Sequence, residues 1–172
     1  MKSANEFTIT GVFVALLIAL QWALSVLPSV ELVSVFSAVF CYSFGVKKGV
    51  IAMTAFSLLR CFVFGFFPTA MLLYLVYYNL FAVCFGFLGN KMRKKEGAGT
   101  HLWVILLVIL ITPCFTLLDN LITPLVLGFS KNAAKIYFAS SLPFMATQTV
   151  CAALTTALLF YPLRKVFKSV SE

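Results

Sequence analysis

The chain has 172 residues, of which 62% are hydrophobic and only 10% are charged, whereas a soluble domain carries about a quarter charged residues. So little polar surface could not cover a water-exposed fold, and the composition excludes an ordinary soluble protein. The formal net charge is +8, but the basic residues lie in the gaps between apolar runs, which is typical of membrane proteins rather than of nucleic-acid-binding surfaces. We therefore expect a single integral-membrane domain over residues 1–172 that binds no nucleic acid.

Six apolar runs follow one another along the chain. They lie at residues 9–27, 32–46, 50–67, 69–89, 102–127 and 138–163. A helix needs ~20 apolar residues to cross ~30 Å of hydrocarbon, so the runs predict an all-α membrane protein of six transmembrane helices. The second run is short, which predicts either a thin local bilayer or a helix end sunk into protein. We expect Pro28 to end the first helix, the glycine-flanked segment 45–49 to form a tight turn, and Pro68 to separate the third and fourth helices.

The basic residues predict the orientation of these helices. If six helices cross the membrane in alternating directions, ten of the 13 Lys and Arg residues fall on the same side, in four groups. The groups are Lys2; Lys47 and Lys48; Lys91, Arg93, Lys94 and Lys95; and Arg164, Lys165 and Lys168. Short cytoplasmic loops collect Lys and Arg. Both termini are therefore predicted to be cytoplasmic, in a multi-pass protein of the cell membrane.

Most catalytic and metal-binding motifs are missing from the sequence. The five cysteines lie within apolar runs without a CxxC pair, and His101 is the only histidine, so we expect neither a metal nor a cofactor. The sequence contains no GxxxxGK[ST] phosphate-binding loop and no HExxH motif. We expect a protein that is not an enzyme.

Polar side chains within or bordering the apolar runs are the candidate functional residues, because ionisable groups inside a membrane are costly and face protein or a cavity. The predicted topology puts all of them at or outside the midplane and leaves the inner halves of the helices apolar. They are Gln21, Glu31, Arg60, Tyr74, Tyr77, Tyr78, Asn79, Asp119 and Gln148. On the fifth run, Asn120 continues a polar stripe that passes through Thr116 and Thr123. This asymmetry predicts a pocket that opens to the outside.

Other interpretations of the same residues stay open. Arg60 could neutralise Asp119 or Glu31 in a structural ion pair. The three tyrosines of the fourth run are also typical of an interfacial aromatic belt. The Ser and Thr stripes could serve only to hydrogen-bond one helix to another.

The first run carries Ala15, Ala19 and Ala23 at strict four-residue intervals. Residues at this spacing share one helix face, and small side chains there allow another helix to approach closely. The pattern predicts a packing face.

Taken together, six helices in this length, the alanines of the first helix and the outward polar pocket resemble the substrate-binding S component of energy-coupling-factor (ECF) transporters. The stretch from residue 11 to residue 95, including LPSVELVS at 27–34 and RCFVFG at 60–65, is similar to S components of Gram-positive bacteria. The resemblance covers most of the chain.

The resemblance implies a mechanism and a set of site residues. An S component captures a vitamin-like micronutrient from outside, docks on a membrane scaffold protein that carries two ATPases, and releases the substrate inward. The docking surface would be the face formed by Ala15, Ala19 and Ala23. The resemblance, with the depth argument, favours these pocket residues: Glu31, Arg60, Tyr74, Tyr78, Asn79, Asp119, Asn120 and Gln148. The residue patterns of the thiamine, riboflavin and biotin subfamilies are not found, so the substrate stays open.

Two other classes were considered. An MreD-like structural protein of cell-wall elongation has similar size and helix number, but it has no need of an arginine and two carboxylates at one depth. A membrane enzyme is disfavoured because no nucleophile–base or metal constellation is present.

Overall fold

The computed structural model describes residues 2–26, 32–92 and 98–171, and this part of the chain forms six α-helices and no strand. The helices are α1 (Lys2–Ala23), α2 (Val33–Phe44), α3 (Val46–Phe64), α4 (Pro68–Met92), α5 (Ala98–Leu127) and α6 (Lys131–Ser171). In three of them, the segments Pro68–Met92, Gly99–Leu127 and Lys131–Ser169 are long and apolar enough to span a bilayer by length and composition. The all-helical prediction is confirmed, and the chain is a membrane protein.

The remaining helices are shorter or carry charge. α1 and α2 contain apolar segments, Phe7–Ala23 and Val33–Phe44, that are too short to be assigned as spans from length alone. α3 has 19 residues, but Lys47, Lys48 and Arg60 interrupt its apolar character. That all six helices cross the bilayer stays a prediction.

Each predicted apolar run forms a helix, but the boundaries differ from the predicted ones. Hydropathy marks only the apolar part of a helix, whereas the backbone continues through polar residues until something stops it. α6 therefore runs on at both ends beyond 138–163, and α5 begins four residues before the predicted start. The predicted turn over 45–49 is wrong, because only Gly45, with φ at 83°, interrupts the helix and Val46 already begins α3. α1 ends at Ala23, and Pro28 lies outside the described residues.

α2 is the centre of the bundle. It contacts α1, α3, α4, α5 and α6, and nine of its 12 residues are buried. A helix of this length spans roughly 18 Å, which is less than the hydrocarbon thickness. Because its neighbours surround it, this short helix is sunk into protein. This is one of the two alternatives that its length predicted, the other being a thin local bilayer.

The two ends of the bundle differ in chemistry. At one end α2 finishes, α3 begins and α6 finishes, and the Arg164 guanidinium lies 5.2 Å from the Tyr42 ring centroid. Lys48 sits over the Phe44 ring at the same end. Here α4 passes so close to α2 that a Cβ on Gly89 would collide with the Tyr42 carbonyl. We call this the basic end; at the opposite end α1 finishes, α2 begins, α3 finishes and α4 begins.

Candidate ligand-binding cavity

A cavity of about 300 Å³ lies at the end of the bundle opposite the basic end. It lies between all six helices, since α1, α2, α3, α4, α5 and α6 each contribute at least one residue. Its lining consists of Gln21, Leu24, Ser25, Val33, Ser34, Arg60, Phe64, Tyr74, Tyr77, Tyr78, Phe115 and Gln148. The volume is at the lower limit of the range for small-molecule sites, and the mixture of aromatic rings with a few polar groups is usual for such sites.

Aromatic side chains of α4 and α5 form one wall of the cavity. Tyr74 and Tyr78 are four residues apart on α4 and therefore share a face, with ring centroids 5.4 Å apart. Phe115 of α5 meets Tyr74 and Tyr77 edge-on, at 5.4 and 5.0 Å. Edge-to-face pairs at such distances stabilise each other beyond their buried area. The wall is therefore held in place by its own contacts.

Among the described lining residues, Arg60 supplies the only cationic side chain. Its Cζ atom lies 3.8 Å from the centroid of the Tyr74 ring and 4.9 Å from that of Phe64. The Arg60 Nε atom is buried and has no hydrogen-bond partner among the residues that the structure describes. The described lining residues include no carboxylate, so none of them supplies a countercharge to Arg60.

Gln21 of α1 presents a second incompletely bonded group. Its Nε2 atom donates to the Tyr74 hydroxyl at 2.9 Å, whereas its Oε1 atom is buried and has no partner. Whichever way the amide is turned, one of its two polar atoms is left over for another molecule. Gln148 of α6 lines the same cavity and is half-buried.

Four of the eight predicted pocket residues line the cavity: Arg60, Tyr74, Tyr78 and Gln148. Glu31 lies outside the described residues. Asn79 faces α3 instead, where its Oδ1 accepts a hydrogen bond from Thr54 at 2.9 Å and its Nδ2 donates to the carbonyl of Leu75. Asn79 therefore bonds one helix to another and does not line the cavity.

Asp119 and Asn120 also lie apart from the cavity lining, in the contact between α5 and α6. The two carboxylate oxygens of Asp119 accept hydrogen bonds from Thr123 at 2.7 Å and from Tyr137 at 2.6 Å. Asn120 donates to the Ser141 hydroxyl at 2.7 Å. The possible ion pair between Arg60 and Asp119 is not formed: Asp119 is satisfied by hydroxyl groups, and Arg60 lies against aromatic rings.

Several residues that line the cavity were not among those predicted for the site. Gln21 and Tyr77 were recognised as polar residues at the right depth but were not chosen for the site. Two serines could have been predicted for the site from their position in the chain. Ser25 follows Gln21 by four residues and Ser34 lies at the start of α2, and the predicted topology brings these two helix ends to the same depth. Phe64 and Phe115 could not be separated from ordinary core residues by sequence.

Within the described part of the chain, no group of three or more His, Cys, Asp or Glu side chains could hold a metal ion. Comparison with known protein families, characterised proteins and solved structures finds no match for this chain. The cavity is the feature that bears on function: it is aromatic on one side, it carries one cation that no described lining residue balances, and it is large enough for a small molecule.

Proposed function

We propose that this chain is the substrate-capturing S component of an ECF-type importer in the cell membrane, which binds a vitamin-like micronutrient. The observation that carries the proposal is the cavity between all six helices, with Arg60 and Gln21 incompletely hydrogen-bonded at its lining. Polar groups left unbonded in a membrane protein are expensive. A small molecule that bonds to them accounts for their presence.

The distribution of charge supports an outward-facing cavity. Lys47, Lys48, Lys91 and Arg164 belong to the basic end, which the positive-inside rule assigns to the cytoplasm. With six membrane-spanning helices, both termini are then cytoplasmic and the cavity opens toward the outside. Besides Arg60, the described basic residues outside that pattern are Lys131 and Lys135, at the start of α6.

The surface of α1 supports a docking role. Ala15, Ala19 and Ala23 are all exposed, while the opposite face of the helix is buried through Phe13 and Leu17. The Phe13 ring stacks on Phe40 of α2 at 4.0 Å, so the buried face holds α1 in the bundle. The alanine face is left for a helix of the scaffold protein, and small residues let that helix approach closely.

ATP hydrolysis belongs to the two ATPases carried by the scaffold, since this chain has no phosphate-binding loop. A cell-wall structural role of the MreD type needs neither a ligand-sized cavity nor an unbalanced cation within it. The cavity therefore favours transport over that alternative.

Purification of the tagged chain from its native membranes tests the assignment to an importer. We expect one membrane scaffold protein and two ATPases, recognised by their Walker motifs, to co-purify with the wild type and to be lost with Ala19→Trp. Reconstituted with those partners, the chain should support ATP-dependent uptake. Recovery of cell-wall elongation proteins instead of ATPases would favour the structural alternative.

A further inference from the structure

The cavity also carries information about the charge of its ligand. This inference rests on the proposed function for its biological meaning but concerns only what the site binds. The relevant residues are Arg60, Tyr74 and Gln21, which belong to three different helices and meet at one side of the cavity.

Among the described residues, Arg60 contacts its neighbours through the face of its guanidinium group. With Cζ 3.8 Å from the Tyr74 centroid, the group lies over the ring in a cation–π contact. A guanidinium also has five N–H donors in its plane, arranged as a fork that matches a carboxylate. No hydrogen bond or ion pair engages that plane among the described residues, and Nε is buried without a partner. The donor edge is therefore available while the ring contact fixes the orientation of the group.

Among the described lining residues there is no Asp or Glu, and the polar members other than Arg60 are amides, hydroxyls and tyrosines. The cavity walls include Phe64 and Phe115, which offer flat apolar surfaces. Burial of a cation in such a site requires an anion nearby, and the ligand can supply it.

We propose that the cavity binds a small molecule with one carboxylate and a flat ring. The carboxylate receives the in-plane N–H groups of Arg60, and the ring packs against the aromatic wall formed by Tyr74, Tyr77 and Phe115. The free amide atom of Gln21 bonds to a polar substituent of the ligand.

Probe molecules of equal shape and different charge test this proposal. Benzoate, benzamide and benzamidine share one ring and differ in charge, and 2-naphthoate with 2-naphthamide repeats the comparison on a larger ring. Their affinities for the purified full chain follow from the ligand dependence of thermal unfolding. We expect at least one carboxylate to bind roughly tenfold to a hundredfold more tightly than its amide, the effect of a charged hydrogen bond, and benzamidine to bind most weakly.

Variants assign the preference to Arg60. Arg60→Gln should abolish the preference for the carboxylate, and Arg60→Lys should keep it with lower affinity, because the ammonium retains the charge without the fork. Lys135→Gln removes an exposed cation on α6 and serves as the control for net charge; it should change nothing. If Arg60→Gln does not fold, Arg60→Lys alone carries the test.

Three binding results overturn the proposal: amides that bind as well as the carboxylates, no stabilisation by either carboxylate, or carboxylate binding that keeps its preference in Arg60→Gln or its full affinity in Arg60→Lys. Failure of the transport assignment is a separate result. A chain that binds carboxylates without co-purifying ATPases keeps this inference and loses the importer. ATP-dependent uptake of a neutral or cationic substrate keeps the importer and refutes the inference.

Discussion

The independence of Arg60 and Asp119 can be tested with a double-mutant cycle. In this structure they share no partner: Arg60 contacts Tyr74 and Phe64, whereas Asp119 accepts hydrogen bonds from Thr123 and Tyr137. The cycle compares Arg60→Gln, Asp119→Asn and the double variant.

The expected magnitudes follow from these contacts. Asp119→Asn replaces one acceptor oxygen by an NH₂ group, so one charged hydrogen bond is lost, which costs ~1.5–3 kcal/mol; the half-buried site favours the lower value. Arg60→Gln loses a cation–π contact of about 0.5–2 kcal/mol but also removes a poorly solvated charge, so the net change is small. Because the sites are independent, the effects should add within ~0.5 kcal/mol.

A buried ion pair gives a different result. Removal of either partner would then cost ~3–5 kcal/mol, and removal of both would restore stability. The assay is the unfolding free energy of the purified protein in mixed detergent micelles, measured for all four proteins. A double variant more stable than either single variant, with a coupling energy of about 2 kcal/mol or more, refutes the independent placement of these residues.

Three further predictions concern docking, packing and orientation. Ala19→Trp should abolish uptake and leave ligand binding intact, because only the outer face of α1 changes. Leu110→Trp, at a 69% exposed position of α5, is the control. Loss of both binding and uptake in Ala19→Trp would mean that Ala19 packs internally. Gly89→Ala should lower the free energy of unfolding by ~1–3 kcal/mol, because the added methyl group overpacks against the backbone of α2. The control Gly99→Ala, whose added methyl group meets nothing within 4 Å, should change it by less than ~0.5 kcal/mol. Equal stability of the two variants would contradict the close approach of α4 to α2. Reporter fusions after Lys95 and Lys168 should both report a cytoplasmic location, and an outside signal at either would reverse the predicted topology.

The sequence predicted the helices well because apolar runs and charge record the demands of the bilayer. It predicted their ends less well, since a helix continues through polar residues such as Lys47 or Arg164 when no glycine or proline stops it. The single break at Gly45 shows this limit: two glycines suggested a turn, but only Gly45 adopts a positive φ, and Gly49 lies inside α3.

The candidate site was predicted in part for a similar reason. Depth along each helix can be predicted from sequence, and it selected Arg60, Tyr74 and Gln148, which line one cavity. Rotation of each helix about its axis is not readable, because the apolar face toward lipid and the apolar face toward protein have similar composition. Asn79 and Asp119 therefore had a favourable depth but face neighbouring helices, whereas Ser34, which was not chosen for the site, lines the cavity.

The most direct test of ligand capture is native mass spectrometry of the protein purified without added ligand, compared with two matched variants. Ser34→Phe introduces a ring at a cavity position that is only 2% exposed, and Ser140→Phe makes the same change at an exposed position of α6 as the control. We expect the wild type and Ser140→Phe to carry one small molecule that is released on activation, and folded Ser34→Phe to carry none. A wild-type spectrum without a bound molecule, or an identical adduct on all three proteins, would contradict ligand capture in this cavity.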